Sequence, residues 1–191
     1  MKQIYFVIRK ITVAPILAFA LLTTLHLSGL EQFAPPSVYF QGVLFLTFFP
    51  LLAYPMQKHI PKYQKKGREG QRTLAMIFAV VGYLLGITVG LLFHAPAYML
   101  AVYLEYLLSG LLIFVINLCF HKKASGHACG AAAPIILFAS FGLYTPAAIG
   151  VLITLLVYLS SIKTKRHTLS QLIGGSIVPI FPMLLLKLIF M

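Results

Sequence analysis

The chain has no aspartate, and its only acidic residues are Glu31, Glu69 and Glu105. Charged residues make up 9% of the sequence, whereas a soluble globular chain carries roughly a quarter, so a soluble domain is excluded. Three carboxylates in distant segments cannot build the oxygen-ligand site that a hard divalent cation needs, and we expect no metal or other cofactor. Cys119 and Cys129 have no Cys-x-x-Cys spacing, so they carry no metal or redox signature and are interpreted as packing residues.

Hydrophobic residues, at 60% of the sequence, are gathered in runs long enough to cross a membrane. The run 128–160 is too long for one span, since at 1.5 Å per residue it reaches roughly 50 Å against a hydrocarbon core of about 30 Å. It divides at Gly142–Pro146, with Thr145 as an N-cap and Pro146 at the first helical position. Spans are therefore expected at 11–30, 38–57, 73–94, 97–120, twice within 128–160, and at 168–190.

These spans predict an all-α fold, a polytopic transmembrane bundle of about seven helices, or six if one short segment is re-entrant. The whole chain, 1–191, is expected to form one integral membrane domain, in which two N-terminal spans (1–57) precede the remaining helices (58–191). Basic residues before the first apolar run give the N-terminus the outline of a signal peptide. No small-residue cleavage site follows, so we expect this span to be retained.

The 15 lysines and arginines give the chain a formal net charge of +12. In a soluble protein this excess would suggest nucleic acid, but here the charges lie in short clusters between apolar runs, which is typical of loops beside a bilayer. With seven spans, 14 of these basic residues lie on one side of the membrane. Three of them precede the first span, six lie between the second and third, two follow the fourth and three follow the sixth. The positive-inside rule places the N-terminus and these loops in the cytoplasm, in an inner membrane, and no nucleic-acid partner is expected.

Two of the basic segments carry residues suited to holding phosphate. In the first, Lys65 and Arg72 supply full positive charge and a guanidinium fork that matches phosphate oxygens. In the second, Ser125 and Gly126 supply a hydroxyl and a backbone that a ligand can approach closely. Because the starts of three spans bring unsatisfied N–H groups and partial positive charge to this same face, an anion is favoured there.

Two histidines, His127 and His167, are expected at the same depth on separate helices, at the starts of the fifth and seventh spans. One imidazole can attack phosphorus while the other protonates the leaving oxygen, a division between nucleophile and general acid. Gln171 lies one turn after His167 on the same helix face, where its amide is expected to orient the His167 ring. These three residues are the candidate catalytic group.

The segments together resemble the type 2 phosphatidic acid phosphatase superfamily, whose pattern is Lys-x6-Arg-Pro, then Pro-Ser-Gly-His, then Ser-Arg-x5-His-x3-Asp. The matching residues, from about residue 58 to the C-terminus, are Lys65 and Arg72; Ser125, Gly126 and His127; and Ser160, His167 and Gln171. The resemblance implies that His167 is the nucleophile that forms a phosphohistidine and that His127 is the acid for the leaving lipid alkoxide. It assigns phosphate binding to the other matched residues of the first two motifs.

Two departures from the family pattern bear on the chemistry. Gln171 stands where the family has aspartate, although the dolichyl-diphosphate phosphatases have a similar His-Thr-x-x-Gln segment. Ser161 stands where the family has arginine, which removes a guanidinium that would stabilise charge in the transition state. The cations expected to replace it are Arg166 and Lys123, which we count among the phosphate-binding candidates, together with Lys122 and Lys163.

The expected function is metal-independent hydrolysis of a lipid phosphate or an isoprenoid diphosphate, with the head group in a cytoplasmic pocket and the tail among the helices. A lipid phosphate substrate and membrane lipids are the expected partners. One alternative is a catalytically inactive lipid-phosphate-binding or scaffold relative, which Ser161 suggests. A more distant alternative is a transporter, suggested by Glu105 in mid-span and by spans that glycine and proline interrupt. A packing role for Glu105 is equally open.

Overall fold

A computed structural model describes residues 2–119 and 124–190, with Lys2 described by its backbone alone. Over these ranges the chain is helical and has no strand, so the all-α class is confirmed. A short 3₁₀ turn at Glu31–Phe33 lies between the second and third helices. The helices, numbered in chain order, are α1 Lys2–Ile11, α2 Ala14–Leu27, α3 Pro36–His59, α4 Pro61–Gln64, α5 Gly67–Leu92, α6 Ala97–Cys119, α7 Gly126–Ser140, α8 Tyr144–Lys163 and α9 Leu169–Phe190.

Helix length supports five or six membrane spans rather than seven. The helices α3, α5, α6, α8 and α9 are long and apolar enough to cross a bilayer, and α1 with α2 forms a sixth candidate that is bent by 54°. The helix α7 has only 15 residues, which at 1.5 Å per residue is about 22 Å, shorter than the hydrocarbon core of about 30 Å. The integral-membrane class is therefore supported by five to six apolar helices.

The first predicted span, 11–30, is two helices in the structure. The chain leaves helical geometry at Val13, where φ is −62° and ψ is 146°, and α2 starts at Ala14 with Pro15 in its first turn. Proline has no N–H for the ladder, and its ring clashes with the preceding turn, so it favours a break or a kink at this point. The amphipathic α1 instead packs against α8.

The short helix α7 lies at the centre of the bundle. It packs against α2, α6, α8 and α9, and every residue from 128 to 134 is buried. This stretch consists of alanine, glycine, cysteine and one proline, and such small residues allow neighbouring helices to approach closely. An apolar helix too short to span is thus the most enclosed one, as a buried core helix should be.

The start of α7 is fastened to the first turns of α9. The backbone N–H of Ser125 donates to the carbonyl of Gln171 at 2.9 Å. One turn further along α9, Gly175 lies directly against the Ser125 carbonyl, and a Cβ at this position would collide with that oxygen. The glycine is required here because the two backbones approach so closely.

The end of α8 turns the chain back toward this junction. Lys165 adopts a left-handed conformation with φ of 53°, its N–H donates to Ile162 O at 2.9 Å, and the Arg166 N–H donates to Ser161 O at 2.9 Å. This is a Schellman motif, which satisfies the last carbonyls of a helix and reverses the chain. The reversal lets the segment before α9 return to the start of α7.

The two ends of the bundle differ in charge. At one end, Phe141 makes edge contacts with Phe33 and Tyr98, which brings together three connections that contain no lysine or arginine. At the other end, which we call the basic end, α7 and α9 begin and the arginines of α1 and α5 approach each other. Of the described connections, the lysine-rich one that leads into α5 and the one between α8 and α9 lie at the basic end.

We expect Gly175→Ala to lower the free energy of unfolding by about 1–3 kcal/mol, because the added methyl group overpacks the contact with the Ser125 carbonyl. The matched control is Gly174→Ala, since a Cβ at Gly174 meets nothing within 4 Å. This control should be neutral or stabilising by up to about 1 kcal/mol. Unfolding of the detergent-purified variants measures both, and equal losses would contradict the close approach.

Candidate active site

The ring of His167 is held by Gln171 in the first turn of α9. His167 Nδ1 lies 3.1 Å from Gln171 Oε1, and the backbone N–H of Thr168 donates to the same oxygen at 3.3 Å. Because a backbone N–H can only donate, the facing amide atom is the oxygen, and His167 Nδ1 must carry a hydrogen to bond to it. In the neutral ring the lone pair is then on Nε2, which is the nitrogen that can attack an electrophile.

The same glutamine completes the N-terminal cap of α9. The Thr168 side chain accepts from the Gln171 backbone N–H at 3.4 Å, while the Gln171 side chain accepts from the Thr168 backbone, which is a capping box. Local helix chemistry therefore fixes the Gln171 amide without help from a tertiary contact. The hydrogen bond that the four-residue spacing predicts is present in the structure.

The ring of His127 is held from the N-terminal part of the chain. His127 Nε2 lies 3.1 Å from the hydroxyl oxygen of Thr12, which itself donates to Ile8 O at 2.7 Å. Since the hydroxyl has one hydrogen and directs it to Ile8, it accepts the Nε2–H of His127. Thr12 is buried at the bend between α1 and α2. Nothing in the sequence patterns pointed to this residue.

Arg9 is a second contribution of α1 that sequence reasoning missed. Its Nη1 donates to the hydroxyl of Ser161 at 2.7 Å, across 152 positions of sequence. Ser161 is fully buried near the end of α8, at the position where the family pattern has arginine. The charges of Arg9 and His167 both act on the His127 ring, so the two histidines and this guanidinium belong to one cluster at the basic end.

The other predicted residues are placed unequally around this cluster. Arg72, exposed in the second turn of α5, lies close enough to Arg9 for their charges to interact. Arg166 is partly buried in the turn before His167, where its backbone N–H bonds to the Ser161 carbonyl. Lys65 is exposed just after α4. Lys123 lies outside the described residues.

The second motif, Ser125 and Gly126 with His127, contributes to the fold as well as to the candidate site. Ser125 is fully buried, and its hydroxyl accepts the Ala128 N–H at 3.3 Å as the N-cap of α7. Gly126, the first residue of α7, is exposed at the basic end. The glycine backbone is therefore open to an anion, whereas the Ser125 hydroxyl is already used as a helix cap.

A cavity of about 290 Å³ lies among α1, α2, α3 and α5. Two of its lining residues are sequence neighbours of residues already described, since Val13 follows Thr12 and Gln71 precedes Arg72. Most of its wall is hydrocarbon, and its polar side chains are Lys10, Gln71 and the hydroxyl-bearing Tyr54. The lining residues are Lys10, Val13, Ile16, Leu51, Tyr54 and Gln71.

Glu105 is fully buried inside the bundle and does not face lipid. The Ser109 hydroxyl donates to its Oε1 at 3.0 Å, while its Oε2 has no hydrogen-bond partner among the described residues. Cys129 of α7, two positions after His127, lies close enough to interact with the Glu105 carboxyl and with Ser109. Both cysteines are unpaired, and Cys129 is buried while Cys119 is exposed.

His127 lies in the first turn of α7, which is not among the candidate spans, and it interacts with Arg9, which bonds to Ser161 at the end of α8. Burial lowers the pKa of His127 from 6.5 to about 4, and the positive charges of Arg9 and His167 act in the same direction. The ring is therefore neutral near pH 7 when the pocket holds no anion.

No protein family, curated protein or solved structure matches the chain.

We expect acid to destabilise the protein partly through His127. The unfolded state binds a proton near pH 6.5 and the folded state only near pH 4, so this residue's contribution is present above about pH 6.5 and is lost as pH falls toward 4. His127→Gln should reduce the fall in melting temperature between pH 7 and pH 5, measured in detergent. An identical fall in the wild type and the variant would contradict the lowered pKa.

Proposed function

We propose that this protein is a membrane-embedded phosphatase that removes phosphate from a lipid phosphate or an isoprenoid diphosphate. The observation that carries the proposal is the pair of histidines, each with its ring fixed by a hydrogen bond and both in one cluster with Arg9. A nucleophile and a proton donor on opposite sides of a bound phosphate are what metal-independent phosphoryl transfer requires.

In the first step His167 Nε2 attacks phosphorus. A P–N bond forms and the bond from phosphorus to the lipid oxygen breaks, so the lipid leaves as an alkoxide or, from a diphosphate, as a monophosphate. Protonated His127 gives its proton to that leaving oxygen. The negative charge of the bound phosphate raises the pKa of His127 and so opposes the lowering caused by burial and Arg9. His127 is therefore protonated when substrate is bound.

In the second step water attacks the phosphohistidine. Neutral His127 accepts a proton from this water, the P–N bond breaks, and inorganic phosphate leaves with His167 restored. The His167 Nδ1–H donates to Gln171 throughout, which keeps Nε2 aimed at phosphorus and disperses the positive charge that the ring gains. Positioning of this kind is a main source of rate in phosphoryl transfer, because little covalent chemistry is left to the protein.

The lipid part of the substrate fits the hydrocarbon cavity among α1, α2, α3 and α5. Its wall continues from Val13, next to the partner of His127, to Leu51 and Tyr54 on α3. We place the basic end in the cytoplasm, in accordance with the positive-inside rule, with the apolar helices in the bilayer. The head group then enters from the cytoplasmic side while the chain stays among α1, α3 and α5.

We expect His167→Ala to release no phosphate above background and His127→Ala to be slower than the wild type by about 10²–10⁴-fold. The measurement is phosphate release by detergent-purified protein, in chelator, from a panel of lipid phosphates and diphosphates. The matched control is His59→Ala, an exposed histidine at the end of α3, which should keep wild-type activity.

The outcome separates three functions. Release that persists in chelator and depends on both histidines supports the phosphatase. Binding of lipid phosphate to a folded wild type without any release would instead indicate the inactive relative that Ser161 suggests. Flux of substrate into proteoliposomes without release would indicate a transporter.

We expect Leu51→Trp to raise the KM for long-chain lipid phosphates by about tenfold, because the indole fills this cavity. Hydrolysis of a water-soluble phosphate monoester should change little, since its phosphate needs no room for a tail. Leu44→Trp, on the lipid-facing side of the same helix, is the matched control. Equal effects on both substrates would place the lipid tail elsewhere.

A further inference from the structure

Arg9 joins the histidine cluster from a helix that the motifs do not include. Its guanidinium donates to Ser161, which is fully buried, although Arg9 itself belongs to the amphipathic α1. Thr12, three residues later and just past the end of α1, holds the ring of His127. The Thr12 backbone N–H still bonds to Ile8 O at 3.0 Å, as in a helix, so Arg9 and Thr12 lie on one face, and the end of α1 brings a cation and the partner of a histidine to the same place.

Three arginines lie near enough for their charges to interact, without enough carboxylates to balance them. The charges of Arg72 and Arg68 act on Arg9, and all three belong to the basic end. Of the three glutamates in the chain, one lies in the turn after α2 and one is buried in α6, which leaves Glu69. Like charges held together oppose folding unless an anion joins them. A phosphate suits this arrangement, because its oxygens pair with forked guanidinium donors.

We propose that Arg9 is a phosphate-binding residue of this site, supplied by the N-terminal helix in place of a cation on α8. This inference rests on the proposed function, since it assigns a further residue to the same site. Ser161 holds the guanidinium through one nitrogen, Nη1, and the rest of the fork stays available to phosphate oxygens. The hydrogen bond to Ser161 keeps the cation beside His127, where charge develops on the leaving oxygen.

The neighbouring cations match this role less well. Lys10 lines the hydrocarbon cavity and is exposed, and Lys163 is exposed at the end of α8. Arg166 is partly buried but has its described hydrogen bond through the backbone. Arg9 combines partial burial, a side-chain anchor and charges that act on both His127 and Arg72.

The experiment compares the wild type with Arg9→Ala, Arg9→Lys and the double variant Arg9→Ala/Ser161→Arg. Lys62→Ala, an exposed cation of α4, is the control that should match the wild type. Two readouts are taken on the detergent-purified chain. One is phosphate release from a lipid phosphate, as kcat and KM. The other is binding of inorganic orthovanadate, followed by the shift in melting temperature, which does not require turnover.

We expect Arg9→Ala to lower kcat/KM by about 100-fold and to weaken vanadate binding, as for loss of one charged donor at a transition state. Arg9→Lys should recover only part of the lost kcat/KM and of the lost vanadate affinity, because an ammonium group cannot replace the forked guanidinium. The double variant should regain at least tenfold of the lost kcat/KM, because it moves the guanidinium to the other partner of the same hydrogen bond. Recovery of this kind distinguishes phosphate binding from a merely structural contact.

The two readouts separate failure of this assignment from failure of the proposed function. A wild type that binds vanadate but releases no phosphate, with binding weakened in Arg9→Ala, would refute the phosphatase and support the Arg9 assignment. A wild type that releases phosphate, with Arg9→Ala unchanged in both readouts, would refute the Arg9 assignment alone. A wild type that neither binds nor releases would overturn both. If Arg9→Ala does not fold, Arg9→Lys decides, and wild-type vanadate affinity in that variant would overturn the assignment.

Discussion

The close approach of α7 and α9 at the basic end is the contact on which the rest of the site depends. Ser125 donates its backbone N–H to Gln171 O, and Gly175 lies against the Ser125 carbonyl with no room for a side chain. These contacts set the distance between the helix that carries His127 and the segment that carries His167. Ser125 also caps α7, so helix initiation and helix pairing occur at one residue.

The N-terminal helices supply further residues to the site that this junction positions. The motifs lie between residue 58 and the C-terminus, yet the His127 ring is held by Thr12 and the Ser161 hydroxyl accepts from Arg9. Pro15 makes this possible, because the bend that it imposes turns α1 away from α2 and onto α8. A straight first span would have directed Arg9 elsewhere. In this account the segment before residue 58 belongs to the active site.

Local patterns in the sequence predicted local features of the structure. The spacing of His167 and Gln171 predicted their hydrogen bond, because residues four apart on a helix are neighbours, and the apolar runs predicted an all-helical chain. The pairing of Arg9 with Ser161 was not predictable, since 152 residues separate them and no pattern in one sequence links such positions. The span count was also uncertain, because α7 is apolar but short, and only packing shows it enclosed by four helices. Lys65 matched a spacing that a lysine-rich loop satisfies easily, and it lies exposed after α4.

The central claim is that His167 forms a covalent bond to phosphorus, and the most direct measurement is to trap that intermediate. Protein mixed with lipid phosphate carrying labelled phosphorus, and quenched in base within one turnover, should carry acid-labile label on the peptide that contains His167. His167→Ala should carry none, because Nε2 is the only attacking atom in this account. Phosphate release at the wild-type rate with no label on the protein, or label that persists in His167→Ala, would contradict the phosphohistidine mechanism.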